Sequence, residues 1–409
     1  MKRVPLVIRP WRIFAMAALV ALAAGCGAKF DLPTERPSAK PIPSDGSYQM
    51  LSTWKTDKAG ASFNDVQDIL LTQGPGSQLF FLFNHGGTGG PGTPRGEVKL
   101  YAFSNPVEIG NPYFERPKGL FNPVAISSAQ NRLFILDQGD SCQAKFDETR
   151  GTCEADEDTT AFTGHPHPAV IRQYAAAWRV REFGLGGGDT VSTFTDTTVA
   201  QVFGVASDDR GFVYVSGIVA VLDTNQIDQR IRSRKFASRV YRYARGPRYP
   251  GVVPADKLMP GASWHRDTTW FVRAGSGASS VDNPRGLNLS RAGVPSLVIA
   301  DRGNNQVKTV STQQLDVGFA NIDGSSTGAN LDEPVGVAAD LQGYIYIVDR
   351  LNKRVLRYDS IGNFIQLVNV EKNADGLPLL DPVAVGVDDS LAYVADRGRG
   401  QVIRFKRRR

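Results

Sequence analysis

The sequence predicts an all-β fold: a six-bladed β-propeller of four-stranded antiparallel blades, closed by an N-terminal strand. Three observations carry this reading. The stretch Leu331 to Val368 divides into four short strand-like runs separated by turn residues. Five looser copies of it occupy most of the remaining sequence between residues 63 and 406. A further strand-like segment, Tyr48 to Lys55, precedes the first copy, whereas the last copy shows only three strands of its own. A lone four-stranded unit cannot bury both faces, so the copies stack around a ring, and a borrowed strand closes the ring without an open edge.

Each run in Leu331 to Val368 has a local cause. Val335 to Ala339 follows Glu333-Pro334; proline fixes its own φ and predicts an extended Glu333. Asp340 to Gly343 is turn chemistry. Tyr344 to Val348, rich in β-branched and aromatic residues, reads as a buried strand. After the polar turn Asp349 to Lys353, Arg354 to Tyr358 alternates polar and apolar with the period of a half-buried strand. Ser360 to Asn363 turns the chain into the last strand, Phe364 to Val368.

The other copies share a pattern of Pro-x-Gly or Pro-x-Ala, an apolar strand ending in Asp, a polar turn, then Arg/Gln-Val. Asn283-Pro284-Arg285-Gly286 leads to Ala300-Asp301-Arg302 and Gln306-Val307, and Asp381-Pro382-Val383-Ala384 to Ala395-Asp396-Arg397 and Gln401-Val402. Asn122-Pro123-Val124-Ala125 leads to Leu136-Asp137. Phe203-Gly204-Val205 lacks both the Pro and the terminal Asp, and Val66 to Leu71 matches in strand pattern alone. The pattern resembles the NHL repeat, which implies blades near 63–110, 121–185, 200–273, 282–320, 331–368 and 381–406. Propellers of this kind resemble peptidyl-hydroxyglycine amidating lyases and, more distantly, gluconolactonase-like and strictosidine-synthase-like enzymes. The lyases place metal-binding His residues at the channel mouth; here His85, His165, His167 and His265 all fall in predicted loops.

The repeat makes residues 48–409 one large domain. The formal charge is +6, but four basic residues lie in the first twelve positions, leaving +2 for the remainder. No basic stripe runs along the blades, so nucleic acid is not an expected partner. Residues 1–25 have a basic start and an apolar run, Ile13 to Ala24, as a secretory signal does. The run ends in Leu22-Ala23-Ala24-Gly25-Cys26, which resembles a bacterial lipobox and implies acylation at Cys26. Gly27, in place of an Asp, implies the outer membrane by the same resemblance. Residues 26–47, with Pro33, Pro37, Pro41 and Pro43, form a tether with a reach of up to roughly 60 Å.

The candidate sites are sparse. Cys142 and Cys153 sit in an insertion, Gln138 to Pro168, and in an exported chain they suit a disulfide; a thiol or metal pair is the alternative. The same insertion carries acidic residues that calcium would accept, without an EF-hand spacing, and the pair His165 and His167, a weak zinc candidate without a third ligand. No motif demands a cofactor. A second insertion is predicted at Gly217 to Ser238. The residues before each Pro-x-Gly position, Asp65, Asn122, Gln201, Asn283, Glu333 and Asp381, are all polar and form a candidate ring at one mouth of the channel. The pairs Asp301-Arg302, Asp349-Arg350 and Asp396-Arg397 are expected to cap turns and pair locally. No GxSxG, HExxH or Ser-His-Asp constellation is present. The sequence therefore points to a lipid-anchored envelope interaction module binding a protein or glycan partner through its loop-rich face. A metal-assisted lyase or lactonase working at the channel mouth is the alternative.

Overall fold

Runs of β-branched and aromatic residues, each closed by a tight polar turn, pair with the run that follows, because the turn brings that run alongside. In the computed structural model the described residues are 48–60, 62–72, 76–84, 96–107, 120–138, 146–147, 152–153, 178–185, 190–196, 198–222, 234–246, 264–277, 280–313, 320–368 and 378–408. The signal segment, the whole of the tether, most of the blade-two insertion, and Cys26, Cys142, His85, His165 and His167 lie outside them.

Strand β1 (Tyr48–Trp54) comes first. Blade one holds β2 (Val66–Leu71), β3 (Leu79–Asn84) and β4 (Gly96–Tyr101). Blade two begins with β5 (Pro123–Ala129) and β6 (Arg132–Asp137); a small hairpin, β7 (Phe146–Asp147) with β8 (Thr152–Cys153), precedes its outer strands β9 (Arg179–Gly184) and β10 (Thr190–Phe194). Blade three holds β11 (Val199–Ser207), β12 (Val213–Leu222), β13 (Arg234–Arg245) and β14 (Trp264–Ala274), with the short β15 (Ser280–Val281) parallel to β14. Blade four holds β16 (Pro284–Ser290), β17 (Ser296–Asp301), β18 (Gln306–Ser311) and β19 (Ala320–Ile322). Blade five holds β20 (Pro334–Ala339), β21 (Ile345–Asp349), β22 (Arg354–Tyr358) and β23 (Phe364–Leu367). Blade six joins β24 (Pro382–Val387), β25 (Leu391–Asp396) and β26 (Gln401–Arg407) to β1.

The fold is thus the expected six-bladed propeller, and β1 supplies the outer strand of the last blade, from Tyr48 opposite Arg407 to Trp54 opposite Val402. Trp54 is buried among Phe63, Phe81 and Tyr393, with ring centroids 6.3, 6.3 and 5.7 Å away. The Tyr48 and Tyr346 hydroxyls lie 2.8 Å apart, tying β1 to blade five as well.

Two local readings change. Part of the predicted blade-three insertion is regular ladder: β12 and β13 pair through Leu222 and Arg234, because Gly217 to Leu222 keeps its apolar β-branched run beyond the blade's ordinary length. Glu333 is not extended; its φ is 50°, and Asn283 has φ 48°. Hydrogen bonds override the preference imposed by the following proline. The Asn283 N–H donates to the Ser238 hydroxyl at 2.8 Å, and the Glu333 N–H donates to Asn305 Oδ1 at 3.0 Å.

The six inner strands, β2, β5, β11, β16, β20 and β24, contact one another around the axis. Each carries a bulge at its start, with the register slipping between Val66 and Asp68, Pro123 and Ala125, Val202 and Gly204, Pro284 and Leu287, Pro334 and Gly336, and Pro382 and Ala384. Ala125, Gly204, Gly286, Gly336 and Ala384, at or just after the bulge in five blades, are small, and at the glycines the next inner strand comes close. A Cβ on Gly204 would lie 2.2 Å from the Arg285 carbonyl oxygen, and one on Gly286 2.6 Å from that of Val335.

Replacing Trp54 by Ala removes the aromatic packing that holds β1 in place. Urea denaturation is expected to show a loss of about 3–5 kcal/mol. A loss below about 1 kcal/mol would mean that β1 contributes little to ring closure.

Candidate functional site at the channel mouth

A bulge leaves one residue outside the ladder and re-aims its side chain. The residues left over are Gln67, Val124, Phe203, Val335 and Val383 at five bulges and Arg285 with Gly286 at the sixth, and all line one recess of about 280 Å³. It is built from the first residues of the inner strands. Its wall is mixed: five valines, Leu287 and Phe203 supply apolar surface, and Arg285, Arg302, Arg350 and Arg397 bring four guanidiniums to it. These arginines come from three blades, and the last three are spaced one repeat apart. Adjacency in the ring, not in the chain, makes this mouth basic.

The rim divides into two halves. Around blades four to six runs a ladder of ion pairs: Arg302 to Glu333 at 2.6 Å, Glu333 to Arg350 at 3.2 Å, Arg350 to Asp381 at 2.6 Å and Asp381 to Arg397 at 2.9 Å. The hydrogen bond from Arg302, with its charge and that of Arg350, holds the Glu333 carboxyl below its ordinary range. Burial alone would raise Asp381, but the Arg350 and Arg397 guanidiniums outweigh it and hold that carboxyl low too. Around blades one to three the rim is amide: Asn84 Nδ2 donates to Asn122 Oδ1 at 2.6 Å, Asn122 Nδ2 donates to Gln138 Oε1 at 2.9 Å, and Gln138 Nε2 donates to the Val202 carbonyl.

The predicted ring residues therefore have a definite place. Asp65, Asn122, Asn283, Glu333 and Asp381 are half-buried at the starts of their inner strands, and Gln201 is exposed. None of the six lines the recess; the lining residue stands two positions later. Glu333, Asp381 and Asn122 act on the recess indirectly, by holding the arginines and Gln138. The Asp-Arg dipeptides also differ from expectation. Their arginines reach pre-proline carboxylates instead of their own neighbour, because the Asp side chains are turned inward and fully buried. The informative signal in the sequence was the x of each Pro-x-Gly, where Arg285 is the one charged residue among six.

Arg285 differs from the other three. Among the described residues it makes no ion pair, and its Nε is buried without an acceptor. Its guanidinium lies 3.9 Å from the centroid of the Phe203 ring. Burial, then the positive charges of Arg302 and Arg350, lower it to about 10, with Glu333 opposing.

Asp68 occupies in blade one the slot that is Gly or Ala in the others, and it also lines the recess. One oxygen accepts the Ile126 N–H of blade two at 3.0 Å and the other the Ile69 N–H at 2.9 Å. Burial pushes this carboxyl up to about 7 despite both bonds.

A larger cavity of about 620 Å³ opens at the other end of the inner strands, lined by groups such as Leu71, Ser127, Ser207, Asn288 and Val387. Its arginine, Arg291, is already engaged by Asp209 at 3.1 Å and the Ser128 carbonyl at 3.1 Å. His265, expected in a loop, lies within β14 opposite Ala244, because the outer strand of blade three starts earlier than its apolar run suggests. Among the described residues no group of three or more His, Cys, Asp or Glu side chains could hold a metal ion.

No family model matches the sequence, and no curated protein matches it either. Solved structures with similar architecture include a chain of the nidogen/laminin complex, 12% identical over 81% of this chain and 84% of that one, with a TM-score of 0.42. A streptogramin B lyase is 8% identical over 88% of this chain and 98% of its own, with a TM-score of 0.41. A catalytically inactive virginiamycin B lyase from Staphylococcus aureus, solved with quinupristin, is 7% identical over 88% and 99%, with a TM-score of 0.43. The propeller assignment here rests on the strand topology itself.

The Asp68 carboxyl is expected to titrate near pH 7 in a carbon-13 NMR experiment. Because its folded pKa is raised, the native state binds this proton more tightly than the unfolded chain. Stability should therefore fall as pH rises from the ordinary carboxylate range to about 7, and Asp68→Asn should flatten that decline. A midpoint near 4 would contradict the burial argument.

Proposed function

We propose that this chain is a lipid-anchored propeller of the bacterial cell envelope that binds a protein or glycan partner without transforming it. The observation that carries the reading is the mouth itself. Hydrogen-bond donors are held in fixed positions by an ion-pair ladder on one side and an amide chain on the other, around a recess with aliphatic and aromatic walls. A concave surface with a few convergent polar groups is the usual form of a ligand site. Because the rim is already ordered by its own contacts, binding costs little further side-chain entropy. The lipobox-like Cys26 and the proline-rich tether support placement at the outer membrane, and the three strong copies of the repeat support an NHL-type propeller.

A second reading, an envelope enzyme, is favoured by Asp68. A carboxyl poised near 7 in a recess is what general acid–base chemistry needs. Both of its oxygens, however, already serve the junction of blades one and two. The metal-assisted form gains no support from a mouth whose cationic guanidiniums oppose a bound cation.

Photo-crosslinking side chains placed at Gln67 or Val335 are expected to give a discrete adduct in cells, and one at Ile361, which is 74% exposed on the turn between β22 and β23, none. No adduct from the recess positions, or the same adducts from all three, would overturn the reading. Separately, Cys26→Ser should move the protein from the membrane to the soluble fraction. Retention in the membrane would rule out the proposed anchor.

A further inference from the structure

We propose that the recess receives the carboxylate of an organic ligand, held by Arg285, with the ligand's apolar part lying against Phe203, Val124, Val335 and Val383. This rests on the reading of the chain as a binding module whose mouth contacts the ligand, and it specifies the chemistry of that contact.

The argument begins with what each arginine already has. Arg302, Arg350 and Arg397 are each paired with Glu333 or Asp381. Arg285 has a ring against its face and no carboxylate at its edge, and its Nε lies buried without an acceptor. A guanidinium offers five donors in a planar fork that matches a carboxylate. Leaving a buried charged donor unsatisfied is costly, so an anion docking there gains the full charge-assisted bond. Arg302 and Arg350 lie near enough to depress Arg285 electrostatically, and the same proximity favours an anion between them. Four arginines line the recess; Glu333 and Asp381 engage three of them, and Asp65 stands in blade one, away from Arg285 of blade four. Asp68 also lines the recess, and its charge would oppose an anion; its oxygens are both engaged by backbone N–H groups, and it is half protonated near neutrality.

The remaining wall selects among anions. Inorganic phosphate would satisfy Arg285 but leave the valines and Phe203 uncovered. A neutral sugar would leave Arg285 unpaired. A carboxylate carried on a ring or short aliphatic chain satisfies both, and a recess of about 280 Å³ limits the inserted part to a small group.

The test uses full-length protein in a non-ionic detergent, titrated with benzoate, benzamide and inorganic phosphate and followed by calorimetry and saturation-transfer NMR. Benzoate is expected to bind saturably, benzamide not to bind, and phosphate to bind more weakly than benzoate. Arg285→Gln should weaken benzoate at least about tenfold, the loss of one charge-assisted hydrogen bond. Arg285→Lys should retain part of the affinity, and Arg291→Gln, at the opposite mouth, all of it. Equal binding of benzoate and benzamide, tighter binding of phosphate, or an Arg285→Gln variant as good as the parent would overturn the proposal. So would the absence of saturable binding by any probe. In that case adducts from Gln67 and Val335 would still support a binding mouth of different chemistry.

Discussion

A buried carboxylate at the end of the second strand organises each strong blade. Asp137, Asp301, Asp349 and Asp396 are fully buried. Asp137 accepts the N–H groups of Phe121 and Asn122, Asp301 that of Asp282, Asp349 that of Asp332, and Asp396 those of Leu380 and Asp381. In every case the donors are the one or two residues just before the inner strand. The bond therefore fixes where that strand begins, and with it the bulge and the side chain the bulge aims at the axis. Burying a charge without compensation would be prohibitive. Lys308 at 2.8 Å from Asp301 and Arg354 at 2.6 Å from Asp349 supply countercharge. The two blades whose sequences stray furthest lack this Asp. Ser238 of blade three instead accepts the Asn283 N–H of the following blade, adding to the hold that Asp301 has on the start of that blade's inner strand.

The same carboxylates explain why the mouth is basic. With the Asp of each Asp-Arg pair turned inward, the Arg that follows has no local partner and extends to a pre-proline acid. Three repeats in succession do this, and the result is a continuous ladder across half the rim. Blades one to three lack the arginines and close their half with amides. Arg285 stands where the two halves meet, on the bulge of blade four, against Phe203 of blade three. Its lack of a carboxylate follows from position, since Glu333 is already shared between Arg302 and Arg350. The junction of the two rim types is thus where an outside anion has most to contribute.

The joints between blades follow a comparable logic near the axis. Glycines at 204, 286 and 336 allow inner strands to approach through their backbones. Elsewhere side chains make the joint: the Ser127 and Ser207 hydroxyls at 2.9 Å, Asn288 accepting the Ala339 N–H at 3.2 Å, and Asp68 accepting the Ile126 N–H at 3.0 Å. Asp68 therefore has a structural task that its raised pKa, taken alone, would not reveal.

Much of this architecture is legible in the amino-acid order. Alternation, turn residues and the Pro-x-Gly signature are local properties, so the alternating run Arg354–Tyr358 coincides with β22, and the runs beside it match their strands to within a residue. Ring closure by Tyr48–Trp54 was legible too, because a repeat with one strand missing at its end needs one from elsewhere. The pairing of Arg302 and Arg350 with Glu333 and Asp381, the left-handed backbone at Glu333, and the meeting of six bulge residues in one recess were not. Each depends on residues about one repeat apart becoming neighbours, and on a bulge shifting which side chain faces inward. A one-residue shift reverses the direction of every side chain it touches. The sequence by itself determined the blades and their order; the closed ring decided which polar residues face the channel and which one of them is left without a partner.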